Sequence, residues 1–285
     1  MRLRLIALVA AMLPLCAASP DNARTFDRAW TLVDRHYWDR NFGGADWPAL
    51  RDHYRAEALS APDQAAFYAT LNTMLAKIGD SHVYARSPAA LAMERAPDRT
   101  KREAREIAQG IWSIRFDAFI PPEERWLRAT IKAIRPTALI LDLRANGGGR
   151  DDVFDRIAGM FLPKGTPLLW GERIERAAGT RLYDGPVFVL IGPRTASAAE
   201  LLAVALERAG AKIIGQRSKG AVTGGADYRL PDGGRLTVAD YDVRLPDGAR
   251  IEKVGVMPRH RVAERPDEDA PMACALHLAR GGAAC

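Results

Sequence analysis

Two apolar runs constrain the fold of this chain more than any other feature. The first, "TALILDL" at residues 137–143, ends in "RANGGG". The second, "PVFVLI" at 186–191, leads through "GPR" into the helical pattern "TASAAELLAVALERAG". A run of this kind, apolar at successive positions instead of alternating, is a strand buried on both faces, as in parallel sheets covered by helices. "DDVFDRIAGMFL" supplies a helix after the first run, and "AKIIG" a short third strand after the second helix. This strand–helix alternation predicts an α/β core with a partly parallel sheet.

The flanking regions differ in character. "RTFDRAWTLVDRHYWD" places Phe26, Trp30, Val33 and Tyr37 at helical intervals, and "DQAAFYATLNTMLAKIG" does the same with Phe67, Leu71 and Leu75 before stopping at Gly79. Between them "GGADWPALRDHYRAEAL" holds a turn and a further helix. The charged segment "RAPDRTKREARE" at 95–106 reads as a linker or an exposed helix start. "IAQGIWSIRF" is strand-forming, and "PPEERWLRATIKAI" is an amphipathic helix with proline at its start. Downstream of the core, two "LPDG" turns predict antiparallel hairpins. The expected organisation is a leader at 1–18, an N-terminal helical domain at 19–95, the α/β core at 96–265 and a C-terminal tail at 266–285.

The leader follows from "MRLRLIALVAAMLPLCAASP", a basic start, a short apolar run and small residues, which is the layout of a secretory signal peptide. Cleavage after Ala18 fits the small-residue rule. Lipidation at Cys16 is the rival reading, opposed by the bulky Leu15 before it. The expected product is periplasmic or secreted, with no stable membrane insertion after cleavage. Apolar residues make up 48% of the chain, enough for a real core. The net charge of +6 comes from arginines scattered among acids, with no basic stripe or aromatic platform for nucleic acid. Cys274 and Cys285 either pair or stay free in the tail, and neither has the sequence neighbours of a zinc site or a catalytic thiol. No cofactor or metal motif is present, and homo-oligomer formation is left open.

Ser197 has two readings. With Glu200 it forms an S-x-x-E capping box, which is structural by itself. It also stands where a buried strand turns into a helix, the place where open α/β sheets hold reactive groups. A nucleophilic serine needs a base and an oxyanion hole. Gly147, Gly148 and Gly149 at the other strand end let backbone N–H groups face a ligand, and one of them with the N–H of Ala198 would form such a hole. A phosphate loop is the competing reading, but the G-K-[ST] and G-x-G-x-x-G spacings are missing. No G-x-S-x-G supports an α/β-hydrolase esterase. For the base, His36 and His53 lie in helical patterns, His277 in the tail and His260 near the end of the core. His82 follows a helix stop, in "GDSHVY".

Five blocks in order, "GGADWPALRDHYR", "LAKIGDSHVY", "LILDLRANGGG", "PVFVLIGPRTASAAELLAVAL" and "RIEKVGVMPRH", give the chain its resemblance to the tail-specific, C-terminal-processing serine peptidases, in particular their tricorn-core branch. The resemblance covers residues 24 to 262. It implies a ClpP/crotonase-like core with a mixed sheet flanked by helices, preceded by a small helical domain, and a peptide or protein substrate. It implies Ser197 as nucleophile, His82 as general base, Ser81 as its polar neighbour, Glu252 as the orienting carboxylate, and Gly147 or Gly148 with Ala198 as the oxyanion hole. Many relatives use a Ser–Lys dyad, and Ala221 stands where that lysine would be, which leaves Lys219 as a substitute base and His82 as the first choice. Arg259 replaces the usual acid after "GVMP". The stretch between His82 and the glycine loop is too short for the PDZ domain of longer relatives. The same fold also occurs in non-catalytic binding proteins, so a ligand-binding role is the alternative function.

Overall fold

The computed structural model describes residues 20–94, 101–169 and 174–285; the expected leader, Cys16 included, lies outside them. Three helices come first, α1 (Pro20–His36), α2 (Trp47–Leu59) and α3 (Gln64–Leu75). Asp46 and Asp63 start α2 and α3 by accepting the N–H groups of Ala49 and Ala66. There follow β1 (Tyr84–Arg86), α4 (Pro88–Glu94), β2 (Arg102–Ala108), β3 (Ile111–Phe116), α5 (Pro121–Ile134), β4 (Ala138–Asp142) and α6 (Asp151–Ala158). The chain continues through β5 (Pro167–Leu169), β6 (Glu175–Arg176), β7 (Val187–Ile191), α7 (Ala198–Arg208) and β8 (Lys212–Gly215). It ends with β9 (Gly224–Arg229), β10 (Arg235–Tyr241), β11 (His260–Arg261) and α8 (Ala270–Ala279).

The expected mixed α/β core is a six-stranded sheet in the order β11-β8-β7-β4-β3-β2, parallel except for the antiparallel edge strand β2. β4 and β7 at its centre are apolar except for Asp142, the last residue of β4, because both faces are covered. Leu139, Leu141, Val189 and Ile191 pack against α5, α6 and α7, with Leu127, Phe154 and Leu202 in the same core. The alternate residues Ile140, Phe188 and Leu190 face α8, through Cys274, Ala275 and Leu278. Each of these fully buried large side chains stabilises the fold by about 1.5–3 kcal/mol.

A second core joins distant parts of the chain. Phe26, Phe67, Leu71 and Met74 of the helices pack with Leu236 and Val238 of β10, in the three-stranded sheet β1-β10-β9, and with Leu230 from the turn after β9. The N-terminal helices therefore share their interior with a hairpin some 160 residues further along. The first "LPDG" turn closes that hairpin, with Leu230 N–H bonded to Gly234 O at 2.9 Å. The second forms the same turn, Leu245 N–H to Ala249 O at 2.9 Å, but joins no strands of a ladder among the described residues.

One expectation changes, and one open alternative is decided. The charged segment around residues 102–106 is neither linker nor helix but most of β2, paired with β3 from Arg102↔Phe116 onward. Arg102, Glu103, Arg105 and Glu106 are exposed there. Charges on an edge strand oppose pairing with other chains, and they also hide the strand from a search for alternating apolar residues. The tail contains α8, and Cys274 and Cys285 are joined in a disulfide. Closing a loop this short restricts the unfolded chain by at most about 3 kcal/mol. Cys285→Ser is expected to lower stability by up to that amount, read from the denaturant midpoint; an unchanged midpoint would show that the bond adds nothing.

Candidate active site

β4 and β7 are parallel neighbours, with Asp142 beside Leu190, so the loops leaving their carboxyl ends lie side by side. Polar side chains pin these loops together. Thr195, fully buried, donates its hydroxyl to Leu143 O at 2.8 Å and accepts Gly192 N–H at 3.0 Å. Asn146, also fully buried, donates to Phe116 O at 2.8 Å, while its backbone oxygen accepts Ala196 N–H at 3.0 Å. Neither residue stood out in the sequence, because a contact between two loops leaves no periodic pattern.

Ser197 heads α7 with φ +55° and ψ −128°, a conformation that L-residues avoid. Strain of this kind persists only where the surroundings enforce it, and it clusters at functional sites. Glu200, fully buried, accepts Ser197 N–H at 3.0 Å and also the N–H groups of Gly220 and Ala221 at 2.7 and 2.9 Å. The capping glutamate thus ties the serine to the loop that holds Ala221, the position weighed for a lysine. The N–H of Glu200 also reaches the backbone oxygen of Ser197 at 2.8 Å.

Gly148 lies directly behind Ser197. A Cβ at that position, where φ is +91°, would stand 2.6 Å from Ser197 Cβ and 2.8 Å from Ala196 O. Its N–H is taken by Asn146 Oδ1 at 2.9 Å. Gly147 N–H makes only a long contact, 3.4 Å, with Asp117 O. Of the two glycines expected at an oxyanion hole, Gly147 therefore has the freer N–H. Ala198 is the first residue of α7, and its N–H lies outside the bonds that hold Ala196, Ala199 and Glu200.

His82 and Ser197 line one cleft of about 640 Å³, together with the three glycines, Tyr84, Asp151 and Gly225. No hydrogen bond joins the imidazole to the Ser197 hydroxyl among the described contacts; such bonds commonly tighten only when substrate is present. Nδ1 of His82 is 2.9 Å from Ser81 Oγ, and Ser81 Oγ donates to Glu252 Oε2 at 3.0 Å. Glu252, buried, also accepts Ser81 N–H at 3.2 Å and Val222 N–H at 2.6 Å. Thr223 Oγ1 lies 3.0 Å from the same Nδ1 and donates to Asp80 Oδ1 at 2.6 Å, a pair absent from the sequence reading. Burial pushes the His82 imidazole below its usual value. The negative charges of Asp80, Glu252 and Asp151 oppose that shift, and Lys219 adds to it. Lys219 is exposed and does not line the cleft. Arg259 pairs with Glu207 at 3.2 Å on the surface.

Residues 111–262, just over half of the chain, match peptidase family S41, and residues 20–76 match the tricorn protease C1 domain. The chain belongs to peptidase family S41. Among its S41 relatives, a carboxyl-terminal-processing protease of Picosynechococcus sp. is 36% identical over 135 residues, 45% of this chain and 32% of that protein. This S41 chain spans about a third of the length of the curated relatives it matches. In fold it is similar to a photosystem II D1 C-terminal processing protease, with TM-score 0.62 and 20% identity over 86% of this chain and 94% of that one. It is also similar to a lipoprotein from Streptococcus agalactiae, with TM-score 0.72 and 17% identity over 97% and 100%. In the S41 chain the stretch from His82 to Gly147 is used for β1, α4, β2, β3, α5 and β4. Among the described residues no helix is long and apolar enough to cross a membrane.

Proposed function

We propose that this chain is an exported serine peptidase that cleaves peptide bonds through an acyl-enzyme, with Ser197 as nucleophile and His82 as general base. The observation that carries the reading is the strained Ser197 in one cleft with a half-buried imidazole whose far nitrogen is held through Ser81 by Glu252. Ser197 Oγ attacks the substrate carbonyl carbon as its proton passes to His82 Nε2. The carbonyl oxygen takes the negative charge and receives the N–H groups of Ala198 and Gly147. Collapse breaks the C–N bond, and the imidazolium returns the proton to the departing amine. A water, deprotonated by the same nitrogen, then releases the acyl group. Export is supported by the leader-like residues 1–18 and by the Cys274–Cys285 disulfide, a bond of oxidising compartments.

Labelling with a peptidyl aryl phosphonate tests the assignment. The expected result is one phosphonyl adduct on Ser197, slowed at least about a hundredfold in His82→Ala and little changed in Lys219→Ala. An unlabelled Ser197 in the intact chain would overturn the peptidase reading. Labelling that survives His82→Ala but not Lys219→Ala would move the role of base to the lysine. The pH profile carries a sign. Since the neutral imidazole is the base and burial lowers its pKa, the rate should hold as pH falls through about 6.5, the ordinary histidine value, and drop only below it. Lys219→Ala removes a nearby positive charge and should move that acid limb upward.

A further inference from the structure

The mechanism needs His82 with its proton on Nδ1 and its lone pair on Nε2, and Ser81 with Glu252 is one device for this. The structure holds a second. Asp80 accepts four donors: His82 N–H at 2.9 Å and Thr223 Oγ1 at 2.6 Å on one oxygen, Tyr37 OH at 3.2 Å and Trp38 Nε1–H at 3.3 Å on the other. Burial, then the adjacent Asp80 charge, raises the Tyr37 hydroxyl far above its usual range, so it stays a donor. Glu252 likewise accepts three donors. Ser81 and Thr223 each own a single hydroxyl proton, and each proton is directed at a carboxylate. The two oxygens that face His82 Nδ1, at 2.9 and 3.0 Å, are therefore left as acceptors.

Resting on the peptidase reading above, we infer that Asp80 and Thr223 form a second orienting arm on His82, parallel to Glu252 and Ser81, and that the two arms together fix the imidazole as its Nδ1–H tautomer. Thr223 and Asp80 are positioning residues; neither touches the reacting atoms. The hydroxyl proton of Thr223 stays on Thr223 throughout. When His82 becomes an imidazolium, its Nδ1–H faces two hydroxyl oxygens, each backed by a negative charge, so the charge is shared between two supports. A base held this way tolerates the loss of either arm far better than the loss of both.

The test uses the full chain and two readouts. Ring-nitrogen NMR of His82, assigned with the His82→Ala variant, should show one tautomer above the acid limb, with Nδ1 protonated and Nε2 free. Ser81→Ala and Thr223→Val should each keep that tautomer, and the double variant should lose it to a mixture. Phosphonate labelling should slow about tenfold in Thr223→Val, the worth of one hydrogen bond to a charged group. Thr223→Ser, which keeps the hydroxyl, should return to within about twofold, and the double variant should lose more than the product of the single losses. A wild-type His82 protonated on Nε2 would overturn the inference. So would a Thr223→Val variant with wild-type labelling and a double variant no worse than Ser81→Ala. If nothing labels while NMR shows the locked tautomer, the peptidase reading fails and the two-arm support stands.

Discussion

Ser197→Ala should lower peptide hydrolysis to background, a loss of about 10⁵-fold or more, because a missing nucleophile cannot be replaced by the rest of the machinery. Its fold should be untouched. Alanine keeps the left-handed backbone and its strain, so Tm should stay close to that of the parent chain. Ser197→Gly is the informative partner. It is equally inactive, but glycine adopts φ +55°, ψ −128° without penalty. Relief of about 1 kcal/mol should raise Tm by roughly 2–4 °C in a chain of this size. Thermal melts and a peptide-cleavage assay on both variants check this. A glycine variant less stable than the alanine one would mean that the serine backbone is not strained.

Gly148→Ala should damage both stability and chemistry. The added methyl meets Ser197 Cβ at 2.6 Å and Ala196 O at 2.8 Å, and the backbone stays at φ +91°. The backbone and the crowding together should cost about 2–4 kcal/mol, seen as a Tm fall of roughly 5–12 °C. Because relief comes most easily by pushing Ser197 away, the activity remaining in the folded fraction should fall at least about 10²-fold, the usual effect of a displacement near 1 Å. Wild-type Tm and rate in Gly148→Ala would contradict the close approach of the two loops. Gly147→Ala is the control: nothing lies within 4 Å of its added Cβ, so stability should change little.

The α/β core was legible because its evidence is local. β4 and β7 are apolar at every position but Asp142, as strands covered on both faces are. The capping box of α7 and the glycine loop were visible for the same reason. What stayed hidden depends on partners far off in sequence. β2 needs only the backbone of β3, so its side chains carry no signal. α8 lay in what reads as a tail, because its apolar face is matched by Ile140, Phe188 and Leu190 of the distant sheet. Thr223 and Asp80 are 143 residues apart, and neither residue type announces a bond between them. The site residues came from block resemblance; composition could not have given them. The φ of Ser197 is a dihedral imposed by Glu200 and the neighbouring loop, which no residue letter encodes.

Ser197 and His82 adjoin separate interiors. Ser197 is followed by Ala198 and Ala199, embedded in the core of the large sheet, whereas His82 is flanked by Ile78 and Val83, embedded in the core of the N-terminal helices. The cleft between them is thus the joint of two packed interiors, bridged by the bonds of Ser81 to Glu252 and of Thr223 to Asp80. A cavity opened at Leu71, deep among the helices and away from the cleft lining, would therefore be felt first on the His82 side of the cleft. The spacing of Ser197 and His82 is therefore set by how the two interiors are seated against each other.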